Sequence, residues 1–198
     1  MFYENKPDFF LLYNETTPLQ YPLHIHSYIE YVHVISGLIE MQIGDEVYTL
    51  KPGDIAFIFP NVPHKYHTLS ASHDTQFYIM NSSVDILPMH KMELSGKYPH
   101  MPVVHPDPLH IDVLYAERRL FEITLEEENT PLISSLTSLI LCHIFPLLQL
   151  SDFENTPPPG SHQRNYRLHW KQFSGRNHPA PACEKIWHRE IHPLPYLF

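Results

Sequence analysis

Cysteine is nearly absent: the 198 residues hold two, Cys142 and Cys183. Two thiols with no C-x-x-C spacing exclude a disulfide framework and a dithiol redox motif, so the expectation is incidental or buried thiols in a reducing, cytoplasmic setting. The six glycines form neither a glycine-rich phosphate loop nor a G-x-S-x-G elbow, which leaves nucleotide cradling and serine hydrolysis without a motif. No run approaches the ~20 apolar residues of a membrane span, and the N-terminus MFYENKPDFF lacks a charged-then-apolar signal pattern. No membrane partner is therefore expected. A basic excess is missing as well, the formal net charge being −9. Residues 1–155 hold 20 acidic and 7 basic side chains, and residues 156–198 hold 2 acidic and 6 basic. An acidic first part cannot grip phosphates on its own, and six charges scattered among prolines and histidines make no coherent patch.

What is present reads as a β-rich half followed by a helical one. Hydrophobic content of 43% with 13% aromatics is globular. From Tyr21 to Met80, short alternating runs are separated by turn residues: 28–35, 38–43, 46–50, 55–59, 64–70 and 75–80. Gly44-Asp45 marks a tight hairpin turn, Lys51-Pro52-Gly53-Asp54 suits a type II turn, and Pro60-Asn61-Val62-Pro63 is a further turn. Six strands at this spacing predict an antiparallel barrel or sandwich. Residues 84–108 read as an irregular crossing loop. A helix is predicted over 110–123, with Ile111, Leu114, Tyr115, Leu120 and Phe121 on one stripe and Glu117, Arg118 and Arg119 toward solvent. A second is predicted from Leu132 to Leu150, with Thr130-Pro131 as its cap and first position and Pro146 kinking it. Its apolar residues Leu132, Leu136, Leu139, Ile140 and Leu147 are expected to pack on the barrel and on a second copy, forming a homodimer; the alternative is a helix buried wholly within one monomer.

The chemistry-bearing constellation is His24, His26, Glu30 and His64. Residues two apart on a strand face the same side, so His24 and His26 point together, and Glu30 and His64 can join them inside a barrel. Three imidazoles and a carboxylate suit a divalent transition metal with open positions. The same groups can instead bond one another or an organic effector. Tyr28, Tyr31, Tyr66 and Tyr78 either line the barrel, offering apolar faces with polar tips to a sugar-like or aromatic ligand, or are ordinary core. His33, His67, His73, His90, His100, His105 and His110 show no paired spacing and are expected on the surface or in loops. Glu126, Glu127 and Glu128 read as a solvated approach to the second helix.

His24, His26, Glu30 and Gly37 meet in full the first motif of the cupin superfamily, H-x-H-x(3–4)-E-x(6)-G, which the sequence therefore resembles. The second motif is met loosely by Gly53, Pro60 and His64, with Asn61 where a glycine is usual. The stretch from HIHSYIEYVHVISG through LKPGD to FPNVPH is more closely similar to the effector-binding domains of AraC-type transcription regulators. That resemblance implies a mainly β fold: a cupin-like antiparallel barrel (a double-stranded β-helix) over 1–95, then two packing and dimerisation helices over 96–150. It implies a small polar effector held by His24, His26, Glu30, His64, Tyr28 and Tyr66, with no catalysis, metal or cofactor. The alternative is a small metal-dependent cupin enzyme, an isomerase or dioxygenase with iron, manganese or zinc on His24, His26, Glu30 and His64.

Regulators of that type continue with a basic domain of two helix-turn-helix motifs, through which DNA is contacted. Residues 156–198 instead hold 7 of the 20 prolines and both tryptophans, Trp170 and Trp187, with no traceable periodicity. Synonymous codons for Asn165–Phe198 can be chosen so that a one-base shift ends in AKKFGIEKSTLSRIF, a helix-turn-helix-like string. The expectation is that 151–198 is an out-of-frame tail and that this chain lacks a DNA-binding half.

Overall fold

The computed structural model describes residues 1–14, 18–69, 75–125 and 129–152. The expectations for His73, for Glu126, Glu127 and Glu128, for Cys183 and for the tail beyond 152 lie outside these residues.

The chain begins with β1 (Phe2–Tyr3), β2 (Phe9–Asn14), β3 (Gln20–Ile25), β4 (Ile29–Ser36), β5 (Ile39–Ile43), β6 (Glu46–Leu50), β7 (Ile55–Ile58), β8 (His64–Thr68) and β9 (Gln76–Ser82). Two 3-10 turns, Val84–Ile86 and Pro88–His90, lead to α1 (Lys91–Gly96), β10 (Lys97–Pro99), β11 (Val103–Val104), α2 (Ile111–Leu125) and α3 (Thr130–Ile144). A 3-10 turn at Phe145–Leu148 and β12 (Leu150–Asp152) follow. One sheet has the order β1-β3-β8-β5-β6 and the other β11-β7-β4-β9-β2, with β10 and β12 forming a separate pair. All pairings are antiparallel except β1 with β3. The fold is thus mainly β, as expected, and the segment 84–108 is more ordered than a crossing loop.

The turns follow from backbone chemistry. Asp54 N–H closes on Lys51 O at 2.9 Å and Gly53 has φ +85°, which is the type II geometry that Pro52-Gly53 favours. Asn61 takes φ +63°, the left-handed conformation that a glycine would otherwise supply. Gly37, where the chain passes between sheets after β4, has φ +77°, and a Cβ there would lie 2.8 Å from Thr75 Cα.

β4 is buried on both faces through most of its length, because one face meets the opposite sheet and the other is covered by α2. The helices correct three expectations. Val113, Ala116, Leu120 and Ile123 form the buried face of α2, whereas Ile111, Leu114 and Tyr115 face outward. Glu117, expected in solvent, is 3% exposed. The cap of α3 is Asn129, whose side chain accepts from Leu132 N–H at 3.1 Å, with Thr130 the first helical residue.

On α3, Leu136 and Ile140 lie in the chain's own core beside Ile133, Leu141 and Ile144. They are therefore not available to a second copy. Leu139 is half-buried, while Leu132 and Leu147 are exposed. Pro146 ends the α-helix in a 3-10 turn, as expected from its missing N–H. Together the helix and turn, Thr130–Leu148, make 19 residues, long and apolar enough to cross a membrane by length and composition. This corrects the sequence expectation about apolar runs; the inner row of the segment is built into the core.

Candidate functional site

The two sheets bring four groups to one point. His24 on β3 stands in register with His64 on β8, and their rings are 4.0 Å apart. His26, just beyond β3, lies 4.8 Å from the His64 ring. Its backbone oxygen accepts from Asn61 N–H at 2.7 Å, so the turn after β7 fixes the residue. Glu30 enters from β4 in the opposite sheet, its Oε2 3.3 Å from His26 Nε2 and its Oε1 3.6 Å from His64 Nε2. All four side chains are buried. The constellation assembled from sequence spacing is therefore brought together in space.

Each imidazole has its Nδ1 against a backbone carbonyl: His24 on Pro22 at 2.9 Å, His26 on Tyr28 at 3.1 Å and His64 on Val62 at 2.9 Å. A carbonyl can only accept, so each Nδ1 carries a proton, and each Nε2 is left facing the Glu30 carboxylate and the space between the rings. Burial, followed by the neighbouring His64, pushes the His24 pKa down to about 2, and burial also lowers His26. For Glu30, burial acts to raise the pKa but is outweighed by His64 and by the His26 hydrogen bond, which hold it well below the usual carboxylate range. The site is thus a set of imidazoles around an ionised carboxylate.

Among the described residues, His24 Nε2, His64 Nε2, Glu30 Oε1 and Glu4 Oε2 are buried with no hydrogen-bond partner. Glu4 Oε2 still has the Lys6 ammonium at 3.3 Å, but the other three atoms cost ~1–3 kcal/mol each to leave bare, and a cation or a hydrogen-bond donor held between these side chains would satisfy them. The ligating atoms of His24, His26, Glu30 and His64 lie within 4.8 Å of one another, and a divalent transition metal fits this donor set.

The N-terminal segment and β9 add residues that the sequence reading missed. Asn81 donates to Glu30 Oε2 at 2.7 Å and accepts from Lys6 Nζ at 2.8 Å. Lys6 also lies 3.3 Å from Glu4, which accepts from Tyr21 OH and sits 3.6 Å from His24 Nε2. No motif links Glu4 or Lys6 to the histidines; only the parallel pairing of β1 with β3 carries them there. Tyr66 is buried, stacked on Tyr21 at 5.7 Å and edge-on to His24 at 6.3 Å. Tyr28 is half-buried beside His26 at 6.0 Å, its hydroxyl donating to Lys6 O.

Tyr31 and Tyr78 do not line this cavity. They stand on the outer faces of β4 and β9, where pleating sends alternate residues away from the site. Tyr31 OH donates to Glu117 of α2, and His33 Nδ1 meets the same carboxylate oxygen at 2.8 Å. Tyr78 packs on Tyr13 at 4.7 Å and His33 at 6.5 Å. His33 and His90, expected on the surface, are buried.

Residues 16–80, the stretch that contains this cluster, match the family model of the cupin domain. Over these residues the fold is cupin-like. A search of curated proteins finds no match. Among solved structures, KdgF from Halomonas sp. is similar at 19% identity, with 40% of this chain and 72% of that one covered and a TM-score of 0.32. The AraC-like transcriptional activator CuxR is similar at 12% identity over 72% of this chain and 49% of its own, with a TM-score of 0.47. ToxT from Vibrio cholerae is similar at 9% identity over 89% of this chain and 69% of its own, with a TM-score of 0.49.

Proposed function

We propose that this cupin domain and its helices are the effector-sensing and dimerisation module of an AraC-type transcription regulator. The observation that carries the reading is the two-sided role of β4. Its inner face presents Glu30 to the buried histidine cluster, and its outer face docks Tyr31 and His33 onto Glu117 of α2. A binding site and a helix that can report on it thus share one strand. The resemblance of the motifs in residues 24–64 to those of AraC-type effector-binding domains supports this reading. The occupant that suits the cavity is a small donor-rich molecule, polyol or sugar-like, whose hydroxyls satisfy His24 Nε2, His64 Nε2, Glu30 Oε1 and Glu4 Oε2. Binding would shift how β4 and α2 pack, and through the helices the spacing of two copies. DNA would be reached through a separate helix-turn-helix half, in keeping with the acidic charge of residues 1–155.

The same unfilled atoms favour a second reading, a small metal-dependent cupin enzyme. His24, His26, His64 and Glu30 would hold iron, manganese or zinc, which when bound supplies Lewis acidity. Glu4, Lys6 and Asn81 would orient a polar substrate beside it.

Metal analysis of the purified chain, with thermal-shift screening of sugars and polyols on chelator-treated protein, separates the two readings. Stabilisation by a polyol that Glu30→Gln abolishes, with no turnover, supports the sensor. One equivalent of metal in the cavity, lost in His26→Gln and required for conversion of a substrate, would overturn it in favour of the enzyme.

A further inference from the structure

A second cluster of metal-ligating groups lies on the surface and shares no residue with the cupin cavity. We propose that His110, Asp112 and His143 form a site for a divalent transition metal that clips the start of α2 to the end of α3. His110 immediately precedes α2, and its backbone oxygen accepts from Val113 and Leu114 N–H at 3.0 and 3.4 Å, so its position is fixed by the helix it caps. Asp112 is in the first turn of α2 and His143 in the last turn of α3. The Asp112 Oδ2 atom lies 3.4 Å from His110 Nδ1 and 3.2 Å from His143 Nε2, and the two imidazole rings are stacked 4.0 Å apart.

The separations carry the inference. Charge-assisted hydrogen bonds between imidazolium and carboxylate close to ~2.7–2.9 Å, so both contacts are long for that role. Two ligand bonds of about 2.0–2.1 Å at the tetrahedral angle hold their donor atoms roughly 3.3 Å apart, between the two values found. Helix dipoles explain an acid at the start of α2 and a base at the end of α3 taken singly. The His110 Nδ1 atom also accepts from Asp112 N–H at 3.2 Å, which holds the ring beside that carboxylate, and metal ligation would replace this capping bond. Two imidazoles with one carboxylate suit zinc, nickel or copper(II). The three side chains are 53%, 46% and 29% exposed, so water can complete the shell and ligation costs little desolvation. A metal here would set the angle of the helix pair whose outer face carries Ile111, Leu114 and Tyr115.

The test is zinc titration of the full chain by calorimetry, comparing wild type with His110→Gln, His143→Gln and, for the cavity, His26→Gln. The site predicts one zinc equivalent that survives in His26→Gln and weakens roughly tenfold or more in each of the other two variants. His110 is exposed and His143 half-buried, and urea denaturation of each metal-free variant should still show one cooperative transition, so loss of folding does not confound the reading. Copper(II) should broaden the ring resonances of His110 and His143 in solution spectra. Equal zinc stoichiometry and affinity in wild type and His143→Gln would overturn the site and leave a plain hydrogen-bonded triad, whatever the cavity binds.

Discussion

The three cavity imidazoles divide their nitrogens between two tasks, Nδ1 for positioning against Pro22, Tyr28 and Val62 and Nε2 for the occupant. Because burial holds His24 neutral down to about pH 2 and lowers His26 as well, folding keeps protons off rings that the unfolded chain would protonate near pH 6.5. The folded pKa is depressed, so this contribution is complete above about pH 6.5 and is lost as pH falls, by about 1.4 kcal/mol per pH unit for each such ring. Urea denaturation of chelator-treated protein at pH 7.5 and pH 5.0 should show the drop; equal midpoints would contradict the buried, neutral rings. Glu117 is the second residue with a sharp consequence. Its carboxylate receives both Tyr31 OH and His33 Nδ1 in a buried position. Glu117→Ala should cost about 2–4 kcal/mol in urea denaturation, because two buried donors lose a charged partner, while Glu117→Gln should cost less. The motif spacing made His24, His26, Glu30 and His64 legible in the sequence. Glu4, Lys6 and Asn81 were not, since they reach the site only through strand pairing distant in sequence.

Among the elements, strands β4 to β9 follow the expected bounds within a residue or two, because Gly and Pro turns punctuate a period-two pattern. Gly37 shows why such punctuation is strict. Its positive φ and the 2.8 Å approach to the Thr75 backbone leave no room for a Cβ. Gly37→Ala should destabilise by roughly 1–3 kcal/mol, seen as a lower thermal midpoint with the cavity residues unchanged. Helix α2 was legible in extent but not in phase. Apolar residues occur on two sides of it, and a stripe of Ile111, Leu114 and Tyr115 satisfies the helical period as well as the buried row of Val113, Ala116, Leu120 and Ile123. Periodicity cannot tell which stripe meets a sheet, and the buried Glu117 was assigned to solvent for the same reason.

At the scale of the molecule, the outer face of the helix pair is where a second copy would be met. Ile111 is 70% and Tyr115 55% exposed, with Leu114 beside them, while Leu136 and Ile140 are committed to the core. The homodimer proposed here should therefore dissociate in sedimentation velocity when Leu114 and Tyr115 are both replaced by Asp. The change should leave effector binding by the barrel intact. Replacing Leu136 by Asp should unfold the chain instead, because a charge would be buried without a partner.

The pleat of β4 has one more consequence, for how this sequence can change. Glu30 faces the cavity, while Tyr31 and His33 face the helix. Inserting or deleting a single residue ahead of Glu30 within the strand would exchange the two faces, turning the carboxylate toward α2 and the tyrosine into the cavity. Lineages of this domain can substitute residues along 29–34 one at a time. They can hardly gain or lose one there, so length drift is confined to the turns on either side.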